Sequence, residues 1–261
     1  ALSLVLCLFV GAIVIVVSVA KVRNRMMEMK LEKVEEMGRA KTDFLSRMSH
    51  EIRTPMNAII GLSSVASLSG EATPSIRSSL EKINMSAQFL LSLVNDILDM
   101  SKIENDKMRI ETAPLRLRSL AERLQSMFFL QAEDKGVLFE TRCDADDVVV
   151  GDDVRLQQVL ANLLSNALKY TRAGSITIEL EAPKTLVIRD TGIGVAPEDL
   201  PRIFEKGYTG YNGRGDQKAS GLGLYLCRTI CKRLGHTITA SSVPDHGTAI
   251  RITLEQRQVR E

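Results

Sequence analysis

Ile76, Leu80, Ile83, Ala87, Leu90, Val94 and Ile97 recur at alternating steps of four and three, and Leu91 and Leu98 widen the row. That spacing dictates one long amphipathic helix. Its apolar face is too broad for a single antiparallel partner. Two hairpins joining as a four-helix bundle would bury it, although the same heptads fit any helical bundle. Thr73-Pro74 can cap this helix at its start, Gly70 can stop the one before it, and it runs out at Ser101–Lys107.

The preceding helix carries a stripe of its own in Leu45, Met48, Ile52, Met56 and Ile59. His50 stands two residues from both Met48 and Ile52, about 200° around at ~3.6 residues per turn, and so points away from the core. Glu51 follows directly, and Thr54 lies one turn on along the same face. Pro55 has no N–H and crowds the preceding turn, so a looser or bent helix is expected just past the histidine. A His-Glu-x-x-His zinc site is excluded, because the fifth position is Thr54. Taken alone, an exposed helical histidine is as compatible with surface decoration as with chemistry.

A length of 261 residues allows two modest domains. A net charge of +2 carries no nucleic-acid footprint. Cys7, Cys143, Cys227 and Cys231 are too scattered for a disulfide framework. Cys227 and Cys231, one helical turn apart, read as buried reduced thiols in preference to a redox or metal pair.

The chain opens on Ala1–Ala20, which holds no charged residue. Twenty residues at ~1.5 Å each span ~30 Å, the thickness of a bilayer's hydrocarbon core. Lys21, Arg23 and Arg25 follow, which puts that end in the cytoplasm. A signal peptide would carry its charge ahead of the apolar run. With no initiator Met, the sequence reads as beginning in or just before the last membrane helix of a longer receptor. Met27, Leu31, Val34, Gly38, Lys41, Leu45 and Met48 then continue a four-three seam. Interrupted by Gly and Lys, it reads equally as a weak coiled coil or a solvated connector.

After Pro114 the pattern changes. A short strand leads into a helix over Leu115–Ala132, strands are expected at Val137–Cys143 and Val148–Val150, and a long helix at Asp152–Lys169. Ser175–Leu180 and Thr185–Arg189 alternate like a hairpin. A helix over Gly221–Leu234 and strands over His236–Ser241 and Thr248–Leu254 close the chain. Strands and helices mixed without a βαβ rhythm point to a layered α+β domain.

Four clusters in this half carry possible chemistry. Asn162 and Asn166 lie one helical turn apart, with Lys169 and Tyr170 beyond; amide oxygens and an ammonium suit Mg²⁺ and a polyphosphate. Solvated Asn pairs on helices are common. Asp190-Thr191-Gly192-Ile193-Gly194 ends a strand with an acid and two glycines, where a carboxylate could accept from an adenine amino group; a plain turn reads the same. Phe204 anchors a short helical run from Pro197. Gly221-Leu222-Gly223-Leu224 opens a helix whose free N–H groups favour phosphate, although no Walker Gly-Lys-Ser/Thr follows.

Ser49-His50-Glu51-Ile52-Arg53-Thr54-Pro55 resembles the H-box of bacterial sensor histidine kinases, and the four later clusters resemble, in order, their N, G1, F and G2 boxes. The resemblance runs from Lys41 to Leu254. It implies a helical hairpin forming a dimeric four-helix bundle, followed by an α+β two-layer sandwich ATPase domain of the histidine kinase, Hsp90, gyrase and MutL type. The implied divisions are 1–20 transmembrane helix, 21–40 signalling linker, 41–108 dimerisation and phosphotransfer, and 109–261 ATP binding.

The resemblance also implies roles. His50 accepts phosphate from ATP, Glu51 takes its proton, and Thr54 places water for dephosphorylation of the partner. Asn166 binds Mg²⁺ with support from Asn162, Lys169 contacts phosphate, and Tyr170 borders the nucleotide. Asp190 reads adenine in a pocket shaped by Gly192 and Gly194. Gly221, Leu222 and Gly223 line the phosphates, and Gly207–Ser220 forms a lid. The implied partners are a second copy of the chain, the receiver domain of a separate response regulator, and a bacterial cytoplasmic membrane reached by one helix; no nucleic acid is implied. Gly207 and Thr209 replace an aromatic and an arginine that many members carry, and Arg214 or Lys206 are candidate substitutes. The H-box half resembles hybrid kinases, the stretch from Phe204 to Cys227 bacitracin-sensing ones. A phosphatase or scaffold with a feeble kinase step, or a chaperone- or topoisomerase-type ATPase, are the alternatives.

Overall fold

The computed structural model describes residues 2–69, 73–143, 148–181, 184–210 and 220–255, without the side chains of 2–19, 31, 34, 35 and 39. They divide into two compact units, Ala1–Lys107 and Met108–Glu261.

The first unit is a helical hairpin. Helix α1 spans Leu2–Leu68 and α2 spans Pro74–Glu104. Thr73 caps α2, its side chain accepting from the Ile76 N–H, with Pro74 in the first turn where its missing N–H costs nothing. The helices run antiparallel. Asn84 Nδ2 donates to Ser64 Oγ at 3.1 Å, Arg53 to Asn95 Oδ1 at 3.0 Å, and Ser101 Oγ to Thr42 Oγ1 at 3.2 Å. Thr42 uses its whole capacity: its hydroxyl donates to the Gly38 carbonyl (3.0 Å) and also accepts from Asn105 Nδ2 (2.7 Å). Lys107 pairs with Asp43 at 3.1 Å and Lys41 with Glu104 at 3.5 Å beside it.

Pro55 lies inside α1, which continues past it without ending. Proline removes the single N–H that would reach the Glu51 carbonyl, and the Arg53–Asn95 bond ties that same turn to α2. Gly70, the expected stop, lies outside the described residues. So do the side chains of the apolar run from Ala1 to Val19, on which the membrane-spanning expectation rests. Among the described residues no helix is long and apolar enough to cross a membrane.

The broad face of α2 divides in two. Ala87 and Leu98 are buried and Leu80, Leu91 and Val94 half-buried, whereas Ile76, Ile83, Leu90 and Ile97, each seven residues after the last, remain 40–51% exposed. One partner helix covers only half of that face.

The second unit is a two-layer sandwich. Its elements are β1 (Ala113–Arg116), α3 (Leu117–Asp134), β2 (Val137–Cys143), β3 (Val148–Gly151), α4 (Asp153–Tyr170), β4 (Gly174–Glu181), β5 (Thr185–Asp190), α5 (Gly223–Leu234), β6 (Thr237–Val243) and β7 (Gly247–Thr253). A five-stranded sheet runs β2-β4-β5-β7-β6, parallel between β2 and β4 and antiparallel elsewhere; β1 and β3 pair separately. Helices α3, α4 and α5 pack on one face of the large sheet. The strand period of two decides which residues go there. Ile176, Ile178 and Leu180 face the helices, while Glu179 and Arg189 pair on the other face at 3.3 Å. Leu120, Leu124, Leu164 and Leu226 supply the opposing layer with no exposed surface.

Helix α5 begins at Gly223, two residues later than expected, because Gly221 adopts a φ of +67° that no helix accommodates. Cys227 and Cys231 sit buried on α5 as free thiols. Burial pushes the Cys231 thiol up to about 12, and Cys227 Sγ donates to the Val159 carbonyl at 3.7 Å. Both behave as core side chains.

Candidate functional site

In the hairpin, His50, Glu51 and Thr54 are all exposed on α1, while Ser49 beside them is 1% exposed. The imidazole faces solvent, as the stripe requires. Thr54 Oγ1 donates to the His50 carbonyl at 3.2 Å, which leaves its lone pairs able to accept from water.

In the sandwich, β5 delivers Asp190 at its end, paired with Ile176 of β4 on the helix-facing side. The chain then turns so that the Gly192 N–H donates to Asp190 Oδ1 at 2.9 Å. Burial raises the Asp190 carboxyl above the usual carboxylate range, and the N–H groups of Gly192 and Thr248 pull it part of the way back. A half-buried carboxylate anchored by backbone donors on one side can accept from a ligand on the other. Gly192 is obligatory: a Cβ there would stand 2.5 Å from the Tyr170 carbonyl oxygen and 2.9 Å from Asp190 Oδ1.

The end of α4 meets the same turn. Ile193 N–H donates to the Tyr170 carbonyl at 3.2 Å, and Lys169 Nζ lies 5.1 Å from the centroid of the Tyr170 ring. Tyr170, Asp190 and Gly192 are thus joined by contact. Asn162 and Asn166, both half-buried, reach them through α4, which packs on β5 and α5. Gly194 is buried in the turn; Phe204 is 8% exposed and pins the loop whose 3₁₀ turn is Leu200–Arg202. Gly221, Leu222 and Gly223 lead into α5, whose first-turn N–H groups have no carbonyl partner within the helix. Most of the lid, including Arg214, falls in 211–219, outside the described residues.

Thr248 was not singled out from the sequence. It reaches Asp190 through β5–β7 pairing, and only a strand order could have revealed it. Thr191 is a second omission: its hydroxyl accepts from the Ser175 N–H at 2.9 Å and fixes the start of the turn.

Among the described residues no cluster of three His, Cys, Asp or Glu side chains could hold a metal ion. Asn162 and Asn166 offer neutral amide oxygens only. Such a set fits a hydrated Mg²⁺ whose charge is met by the phosphates it arrives with, and does not fit a resident all-protein metal site.

An outward histidine on a helical hairpin, followed in the chain by a two-layer sandwich with an acid-and-glycine turn and a glycine-led helix, defines a class: a phosphoacceptor domain with a nucleotide-binding ATPase domain. Family models agree. Residues 40–106 match the His Kinase A (phospho-acceptor) domain, and residues 151–258 match the histidine kinase-, DNA gyrase B- and HSP90-like ATPase. The chain belongs to the bacterial sensor histidine kinases of two-component systems. It is 35% identical over 240 residues to the signal transduction histidine-protein kinase BarA of Escherichia coli (strain K12), covering 87% of this chain and 26% of that one. It is 34% identical over 236 residues to the aerobic respiration control sensor protein ArcB of the same strain, covering 87% and 30%. The chain therefore spans a quarter to a third of the curated relatives' length. Among solved structures, full-length ShkA in complex with AMPPNP superposes with a TM-score of 0.64 at 26% identity, over 84% of this chain and 47% of that one. The Acinetobacter baumannii histidine kinase AdeS gives 0.56 at 25% identity, over 80% and 98%.

Proposed function

We propose that the chain is an ATP-dependent protein-histidine kinase that phosphorylates itself on His50 and passes the phosphoryl group to an aspartate on a response-regulator receiver domain. The observation that carries this reading is the Asp190 turn: a half-buried carboxylate braced by two backbone N–H groups, beside the end of α4. The AMPPNP held by the structural relative supports ATP as the ligand.

In this reading Asp190 accepts from the adenine amino group, Gly192 and Gly194 bring backbone to the base, and Tyr170 borders it. Lys169 and the N–H groups around Gly221, Leu222 and Gly223 receive the phosphates. Asn166, supported by Asn162, holds the Mg²⁺ that accompanies ATP and offsets phosphate charge. A ring nitrogen of His50 attacks the γ-phosphorus, the bond from that phosphorus to the ADP oxygen breaks, and the imidazole proton passes to Glu51. Thr54, with its lone pairs open, orients water for hydrolysis of the phosphoaspartate on the partner, which releases inorganic phosphate and restores the carboxylate.

The hairpin, residues 41–108, serves as the dimerisation and phosphotransfer domain, and 109–261 as the ATP-binding domain. The uncovered row Ile76, Ile83, Leu90 and Ile97 supports a second copy of the chain as its partner, closing a four-helix bundle. The uncharged run Ala1–Ala20, ahead of Lys21, Arg23 and Arg25, supports a tether in the bacterial cytoplasmic membrane with the catalytic region in the cytoplasm and residues 21–40 as linker.

Incubation of the chain with γ-labelled ATP and Mg²⁺ tests the reading. Acid-labile, base-stable label should appear on the protein and vanish in His50→Gln. Label that persists in that variant, or ATP turnover with no phosphoprotein at any time, would overturn it.

A further inference from the structure

Against the glycine turn that opens α5 lies a charged loop, Asp199 to Tyr208, whose last two residues begin the stretch read as the lid. The Tyr208 hydroxyl donates to Asp199 Oδ1. The Arg202 guanidinium sits 4.2 Å from the centroid of the same ring and donates through Nε to Glu205 at 3.1 Å. The Tyr208 N–H donates in turn to the Glu205 carbonyl at 3.2 Å. One aromatic side chain is therefore held on its face by a cation, at its tip by a carboxylate and at its root by a backbone bond. The Asp199 carboxylate also abuts the following backbone, since a Cβ on Gly210 would stand 2.7 Å from Oδ2.

The clamped segment bears directly on the turn. Gly207 N–H donates to the Gly221 carbonyl at 3.0 Å. A Cβ on Gly221 would stand 2.5 Å from the Gly207 carbonyl carbon and 2.8 Å from the Tyr208 carbonyl oxygen, so the two backbones lie in direct contact. Gly221 holds its φ of +67° only two residues before α5 starts. Any shift of Gly207–Tyr208 must move Gly221, and with it the N–H groups that lead the helix.

We propose that Tyr208 is a positioning residue for phosphate binding: clamped between Arg202 and Asp199, it seats Gly207 against Gly221 and fixes the aim of the N–H groups that open α5. This rests on the reading of Gly221–Gly223 as the phosphate cradle. A general structural prop would support both ends of the nucleotide. The contacts described above run from Tyr208 to the phosphate end, whereas the Asp190 turn is held by hydrogen bonds from β5, β7 and α4.

The test compares ATP and adenosine binding to the 261-residue chain by calorimetry, in the unaltered protein, Tyr208→Phe, Asp199→Ala and Asp199→Asn. Tyr208→Phe keeps the ring and loses the hydroxyl. It should weaken ATP by up to about tenfold, a loss bounded by the worth of one hydrogen bond to a charged group, while adenosine binds as before; a small drop in thermal stability is expected from the same lost bond and does not distinguish the two ligands. Asp199→Ala should behave likewise, and Asp199→Asn, which keeps an acceptor oxygen for the tyrosine, should restore most ATP affinity. Equal ATP affinity in Tyr208→Phe and the unaltered chain, or a parallel loss of adenosine, overturns the assignment while leaving the nucleotide site intact. An unaltered chain that binds neither ligand overturns the site reading itself.

Discussion

Among the described residues the hairpin buries four apolar side chains, Ala87, Leu98, Met100 and Ile103, and beside them the hydroxyls of Thr42, Ser49, Ser63 and Ser101. In the α/β unit Leu117, Leu120, Leu124, Leu164, Val187, Leu226 and Ile252 have no exposed surface at all. One region is sealed by helices against a sheet. The other leaves a full row of α2 open and fills its helix contact with hydroxyls and amides, which give less net stabilisation than close apolar packing. The α/β unit can therefore hold its shape unaided, and the hairpin depends on whatever covers it. Under the proposed function that difference would suit a relay, with a rigid nucleotide site and phosphoacceptor helices able to respond to a signal.

The comparison breaks first at the open row. Ile83→Glu combined with Leu90→Glu places charges where a second copy would lie. Burial of each side chain contributes ~1.5–3 kcal/mol, and a two-fold contact would lose four of them. Sedimentation should show a dimer for the unaltered chain and a monomer for the double variant, with the thermal transition of the α/β unit retained. A double variant that stays dimeric would mean this row is not the contact. Leu124→Ala tests the opposite region. Its side chain is fully buried on α3, so truncation should cost about 2–5 kcal/mol in urea unfolding, with no change in self-association.

Much of this contrast was legible in the sequence, for a physical reason. Period two in Ser175–Leu180 and Thr185–Arg189 and period 3.6 in α4 are direct consequences of burying one face, and they located β4, β5 and α4 to within a residue or two. His50 is exposed, as the stripe predicted, but the inward direction of α1 is set by the buried Thr42, Ser49 and Ser63, while Leu45, Met48, Ile52 and Met56 are half-buried and Ile59 is exposed. The halving of the α2 face was not legible: spacing marks Ile83 and Ala87 alike as apolar, and only the partner helix decides that Ala87 is covered and Ile83 is not. Contacts across the chain were equally hidden. Thr248 beside Asp190, Thr42 between Ser101 and Asn105, and Arg202 over Tyr208 depend on strand order, hairpin register and loop path, none of which leaves a periodic signal. Arg202 precedes the tyrosine in sequence, whereas Lys206 and Arg214, the candidate substitutes for the missing cation, lie nearer to it or beyond it.

The smallest expected effect concerns two half-buried aspartates, one in each region. Asp190 is raised by burial but pulled back by the N–H groups of Gly192 and Thr248. Asp96 on α2 is pushed from 3.8 to about 6, first by burial and then by the charge of Asp99 one turn on. A raised carboxyl binds its proton more tightly in the folded chain than in the unfolded one. Between those two values the native state holds more protons, so the group's contribution is most favourable below about pH 4 and is lost as pH climbs through 6. The hairpin should open more readily at pH 7 than at pH 4.5, read as faster hydrogen exchange of α2 amides after correction for intrinsic rates. Asp96→Asn, which is neutral throughout, should flatten that dependence and slow exchange at pH 7, while amides of the sandwich strands stay as they were. If α2 protection in the unaltered chain is the same at both pH values, burial of Asp96 does not weaken the hairpin, and its dependence on a covering partner rests on the open apolar row alone.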